Sequence, residues 1–317
     1  MRQVTEADEV IDPWVEEYER NNPRGSLSDR PAMTPEEIRA FTRGPLPPVP
    51  SDKELFRVTD EMLDGVPIRL YEHASPTGVI VYYHGGAFVI GSIGLMDAMA
   101  RELAHASGAN LVSVEYGLAP ERPYPAGLED CLSVTRAVLD DTARFGGASL
   151  PVVVAGESAG GNLAAAVTLR LRDADDNRVA GQVLIYPTVD NGKAEYSSRT
   201  TFGPEQVLGA FAAYTAGSDA DEDPYAAPLR AKDFSGLPPA LVLTAARDAL
   251  RDEGLAYADQ LQEAGVEVED VFYAHQPHGF MNLLFPASVD AYAQIGAWLR
   301  NLFARATTAA ASERAGR

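Results

Sequence analysis

Gly156 to Gly161, GESAGG, sets Ser158 among glycines, between the apolar run LPVVVA and the helix-forming NLAAAVTLRL. Gly-x-Ser-x-Gly in that setting fits a strand-to-helix turn so tight that the serine's neighbours must be nearly free of side chain, which lifts the hydroxyl above the sheet. A serine raised in this way is a candidate nucleophile. To react it needs a base, a group that orients the base, and donors for an oxyanion.

The donors have a candidate in HGGAF, residues 84–88, directly after the apolar VIVYY. A glycine-rich loop at a strand end can turn successive N–H groups into one concavity, as the HGGG-type loop of lipases and esterases does. Ala87 stands where that pattern has a third glycine, keeping the N–H but narrowing the allowed backbone. Ala159, the residue after the serine, offers a further N–H.

The base must come from five histidines. PALVLTAA is followed by RDALRDE, and VEVEDVFYA by HQPHGF, so Asp248 and His278 each lie just past the end of an apolar run. If those runs are adjacent parallel strands, about 4.8 Å apart, both side chains can meet above the edge that carries Ser158. His275 is a rival, closer to its strand, while the Gly-Phe after His278 frees that residue to swing inward. Asp252 and Glu253 rival Asp248, but they fall in the first turn of the next helix, where acids suit the helix dipole. The chain order Ser, Asp, His matches the α/β-hydrolase order and not that of chymotrypsin-like or subtilisin-like proteases.

The elements that must position these residues alternate along the chain. Strands are expected at 65–73, 78–84, 110–116, 150–156, 181–187, 239–246 and 266–274, with helices at 95–107, 126–140, 161–173 and 252–264, and AYAQIGAWLRNLFARA closing the fold. That order predicts an α/β fold, with a mostly parallel sheet flanked by helices and ligands at the C-terminal strand ends. Two segments break the alternation. Residues 1–45, and 190–225 with a helix around Pro204 to Ala216, read as a cap; 46–189 and 226–305 form the two parts of the core, and 306–317 reads as a disordered tail.

Composition narrows the remaining classes. With 26 Lys and Arg against 46 Asp and Glu, the net charge of -20 repels a nucleic-acid backbone. The single cysteine, Cys131, lies in a helical pattern and reads as a buried residue. No HExxH or CxxC pair is present, so neither a metal nor another cofactor is expected. The acidic N-terminus has no apolar signal region and no run reaches about eighteen apolar residues, so no membrane span and a cytoplasmic location are expected.

Taken together, HGGAF, YGLAPERPYPAGLED, GESAGGNLAAA, DPYAAPL, SGLPPALVLTAARDALRDEG and HGF resemble the hormone-sensitive-lipase-like carboxylesterases of the α/β-hydrolase superfamily, over roughly residues 76–285. The resemblance implies Ser158 as nucleophile, His278 as base, Asp248 as its orienting acid, and Gly86, Ala87 and Ala159 as oxyanion hole. His84, with Gly85, supports the loop. It also implies a helical cap, short to medium acyl esters as substrates, and dimers through the final strand and helix. An amidase or related acyl-transfer enzyme would use the same triad, and a non-catalytic small-molecule receptor is a further use of such a fold. Phe88, Tyr186, Phe202, Leu208, Phe211 and Tyr214 are candidate pocket walls. Three positions depart from the family pattern: Glu157 for the usual Asp, Gly117 in YGLAP, and Ala246 before the acid.

Overall fold

In the computed structural model, residues 4–21, 53–190, 204–216, 220–282 and 285–315 are described. Eight strands form one sheet in the order β1-β2-β4-β3-β5-β6-β7-β8. They are β1 (Arg57–Leu63), β2 (Val66–Glu72), β3 (Val79–Tyr83), β4 (Asn110–Val114), β5 (Val152–Glu157), β6 (Val179–Ile185), β7 (Ala240–Arg247) and β8 (Val268–Pro277). The pairs β1/β2 and β2/β4 are antiparallel, and every pair from β4 to β8 is parallel.

The helices are α1 (Pro13–Asn21), α2 (Asp97–Ser107), α3 (Ala126–Asp140), α4 (Ala159–Arg172), α5 (Pro204–Thr215), α6 (Arg251–Glu263) and α7 (Pro286–Ala315). A strand covered on both faces needs apolar residues at every position, not alternate ones. VIVYY and VVVAGE are buried throughout. Two apolar clusters divide along the sheet: one gathers around α3, α4 and α6, the other around α2 and α7. Cys131 is buried in the first.

Seven of the strands fall where the apolar runs predicted them. β1 was not expected, because its sequence RVTDEML is an exposed edge with mostly polar residues, and only pairing with β2 makes it a strand. The expected disordered tail at 306–317 is corrected: residues 306–315 continue α7. Their Ala-rich sequence propagates a helix already nucleated by the packed Ile295, Leu299 and Phe303. The two segments read as a cap lie partly outside the described residues, which include α1 from the first and α5 from the second.

Candidate active site

Ser158 sits between β5 and α4 with φ 55° and ψ −118°, a strained conformation for a residue with a side chain. Ser158 donates its N–H to the Ile185 carbonyl at 2.9 Å, and its own carbonyl accepts from Asn162 and Thr188 at 3.1 and 3.2 Å. The flanking glycines are dictated by contact. A Cβ on Gly156 would stand 2.1 Å from the Gly160 carbonyl oxygen, and one on Gly160 1.9 Å from that of Tyr83. Side chains at either site would open the turn and drop the hydroxyl.

The other two strand ends converge on it as expected. β7 and β8 are parallel neighbours, and their register shifts between Ala245 and Arg247, just before Asp248. His278 Nε2 lies 3.0 Å from Ser158 Oγ, and its Nδ1 lies 2.8 Å from Asp248 Oδ2. Asp248 is 1% exposed and its Oδ1 accepts the Leu250 N–H at 2.8 Å. A carboxylate on Nδ1 leaves Nε2 as the acceptor for a serine proton. Burial works against the His278 imidazolium, but the Asp248 carboxylate outweighs it and holds the pKa above the ordinary 6.5. The geometry can do proton transfer from serine to imidazole, with the charge that develops held by Asp248.

The rivals are occupied elsewhere. His275 turns toward the N-terminal arm, with Nδ1 3.0 Å from the Val10 carbonyl. Asp252 pairs with Arg251 at 2.6 Å. Glu253 is buried and accepts the Val189 N–H at 2.8 Å.

The HGGAF loop follows β3 on the opposite side of Ser158. Gly86 (φ 128°), Ala87 (φ 54°) and Phe88 (φ 62°) all have positive φ, and the Gly86 carbonyl accepts the N–H groups of Val89 and Ile90 at 3.0 and 2.9 Å. Left-handed backbone at Ala87 costs on the order of 1 kcal/mol, which the glycine of the usual pattern avoids. His84 is fully buried, stacks on Tyr116 with ring centroids 4.3 Å apart, and donates Nδ1–H to the Gly85 carbonyl at 2.8 Å. Burial lowers its pKa to about 4, so the ring is neutral. Ala159 is the first residue of α4, and its N–H has no acceptor within the helix.

The pocket candidates separate. Phe88 and Tyr214 stack face to face at 3.8 Å, Phe211 meets Tyr214 edge-on, and all three are 3–4% exposed, so their faces cover one another. Tyr186 is buried with its ring edge-on to His278 at 5.0 Å. Leu208 is 45% exposed on α5, and Phe202 lies outside the described residues. Among the described residues no group of His, Cys, Asp and Glu has the arrangement of a metal site. No helix among them is long and apolar enough to cross a membrane.

Two sets of residues at the site were not assigned roles from sequence. Glu157 was noted only as a departure, although a charged residue inside VVVAGES must be buried and therefore bonded. The N-terminal arm's contacts with β8 have no local signal.

Comparisons with known proteins give the family and agree with the fold. A family model described as alpha/beta hydrolase fold matches residues 80–282. Carboxylesterase NlhH of Mycobacterium tuberculosis is 39% identical over 251 residues, covering 72% of this chain and 76% of the relative. Esterase LipI of the same organism is 34% identical over 285 residues, covering 84% and 87%. Among solved structures, the hyperthermophilic esterase from Pyrobaculum calidifontis superimposes with a TM-score of 0.83 at 36% identity, over 92% of this chain and 99% of the other.

Proposed function

The chain belongs to the α/β-hydrolase family, in its hormone-sensitive-lipase-like branch, and from that premise we infer that it is a serine carboxylesterase acting on small esters, with Ser158, His278 and Asp248 as its triad. The observation that carries the assignment is the unbroken relay from Ser158 Oγ to His278 Nε2 at 3.0 Å and from His278 Nδ1 to Asp248 at 2.8 Å.

The mechanism is two-step acyl transfer. His278 Nε2 takes the Ser158 proton as Oγ attacks the ester carbonyl, forming a tetrahedral intermediate. The amides of Gly86, Ala87 and Ala159 hold its oxyanion. The imidazolium then gives its proton to the departing alkoxide, the C–O bond breaks, and an alcohol leaves behind an acyl-Ser158 ester. Water attacks that ester with His278 again as base, releasing the carboxylic acid and restoring the serine. Asp248 fixes the tautomer and stabilises the imidazolium in both halves.

α5 supports the reading of residues 190–225 as a cap, because its Tyr214 stacks on Phe88 of the oxyanion loop. A cap drawn over the strand ends limits the acyl chain to short or medium length. Hydrolysis of p-nitrophenyl acetate, butyrate, octanoate and palmitate by the wild type and by Ser158→Ala tests both statements. Turnover of the short esters that vanishes in the variant is expected; equal rates in the two proteins would overturn the assignment, and equal rates on palmitate would overturn the chain-length limit.

A further inference from the structure

Glu157 ends β5, immediately before Ser158, and is 1% exposed. Its Oε1 accepts the Gly85 N–H at 2.6 Å and the Tyr82 hydroxyl at 3.1 Å. The carboxylate lies flush against the loop: a Cβ on Gly85 would stand 2.0 Å from Glu157 Oε2. Two other bonds hold the same stretch, Tyr116 hydroxyl to the His84 carbonyl at 2.6 Å and His84 Nδ1 to the Gly85 carbonyl at 2.8 Å. Of these three anchors only Glu157 can carry charge, since His84 is held neutral by burial and the Tyr116 phenol is pushed up by it. The next two residues, Gly86 and Ala87, are at φ 128° and 54°. Backbone in such regions persists only where its surroundings over-determine it.

We propose that Glu157 is a positioning residue of the esterase site, tying Gly85 so that the Gly86 and Ala87 amides keep their aim, and placing a carboxyl group within electrostatic reach of His278. This rests on the ester-hydrolase reading above. Tyr82 on β3 bonds Glu157, and Tyr116 after β4, Tyr186 after β6, Tyr292 on α7 and His278 lie within its electrostatic reach. All four phenols are pushed up by burial and stay neutral. Asp248 and Glu157 are thus the two carboxylates that favour the imidazolium. Burial lifts the Glu157 carboxyl to about 7, against the opposing pull of the Gly85 N–H and the Tyr82 hydroxyl.

The test compares wild type, Ser158→Ala, Glu157→Gln and Glu157→Asp on p-nitrophenyl butyrate across about pH 5 to 9. Gln keeps an acceptor for Gly85 and loses the charge. Its kcat should fall roughly 10- to 100-fold with KM little changed, as for groups that support a reacting residue. The acid limb of its kcat/KM profile should move to lower pH, because Glu157, lifted to about 7, is ionised over the upper part of that limb and its charge there favours the imidazolium. Asp keeps the charge and retracts from the loop, so kcat should fall with the limb in place. A carboxylate that served only folding would lower the melting temperature and leave the Gln limb unmoved, which overturns the proposal. Wild-type rates in both variants overturn it as well. If Glu157→Gln does not fold, Tyr82→Phe removes one donor from the same oxygen and should also move the limb down; an unmoved limb there overturns the charge role. An inactive wild type, or an active Ser158→Ala, would instead fail the esterase reading.

Discussion

His275 donates its backbone N–H to the Asp8 carbonyl at 2.7 Å, from a left-handed conformation at φ 70°. Three residues before His278, this bond lashes the N-terminal arm across the end of β8, the strand that leads into His278. Gln276 adds a bond from Nε2 to Asp12 at 3.0 Å, and Arg251, just beyond Asp248, pairs with Glu9 at 2.7 Å.

Glu9→Ala should therefore destabilise the protein. The pair is 18% and 11% exposed on its two sides, between a surface and a buried salt bridge. The expected loss is about 1–2 kcal/mol in urea unfolding. A change below about 0.3 kcal/mol would show that the arm is held by its other bonds.

Asp248→Asn should leave the fold intact and lower kcat on the order of 10⁴, if the loss measured for the serine-protease triad transfers. The reason is the tautomer: an amide at this position can donate to Nδ1 and turn Nε2 into a donor facing Ser158. Less than tenfold loss, with the variant folded, would move the orienting role to another acid.

Activity should depend on pH through His278. The base must be neutral, and its pKa is raised above 6.5 by Asp248 against the effect of burial. kcat/KM should accordingly rise with pH through a midpoint above 6.5 and fall as pH drops below it. A midpoint below 6.5 would mean that burial outweighs the carboxylates.

Glu253 makes a stability prediction of opposite sense to the usual carboxylate. Burial lifts it to about 8 from 4.5, against the opposing Val189 N–H. The folded state then holds a proton that the unfolded state has lost, so stability falls as pH rises from about 4.5 to 8. Glu253→Gln removes that dependence. It should be more stable than wild type in guanidinium unfolding at high pH and lose the advantage near pH 5. A difference that does not vary with pH would sink the argument.

Tyr214→Ala should cost about 3 kcal/mol in chemical unfolding, from an aromatic ring 3% exposed and stacked at 3.8 Å. Turnover should fall too, because Phe88 loses its partner beside Ala87. Wild-type kcat in this variant would separate the cap helix from the loop.

Much of this was written in local chemistry. The turn at Ser158 needs glycines because backbone oxygens stand where Cβ atoms would go, and such a need shows in the sequence as GESAGG. The parallel strands show because burial on both faces demands continuous apolar runs, as in VIVYY and PVVVAG. Asp248 and His278 were legible because each comes within four residues of the end of such a run. β1 was not, because an exposed edge strand carries little apolar pattern of its own.

The sequence by itself determined a serine raised in a glycine-flanked turn, a glycine-rich loop after β3, and an ordered set of acids and histidines at strand ends, since these are demands of local backbone geometry and side-chain type. Tertiary structure alone decided which ones meet. It took the adjacency of β7 and β8 to join Asp248 to His278, and the arm to engage His275. Packing turned the Glu157 carboxylate toward Gly85 and not toward solvent. Those choices depend on which distant strands become neighbours, and a contact between residues 72 positions apart leaves no periodicity in the chain.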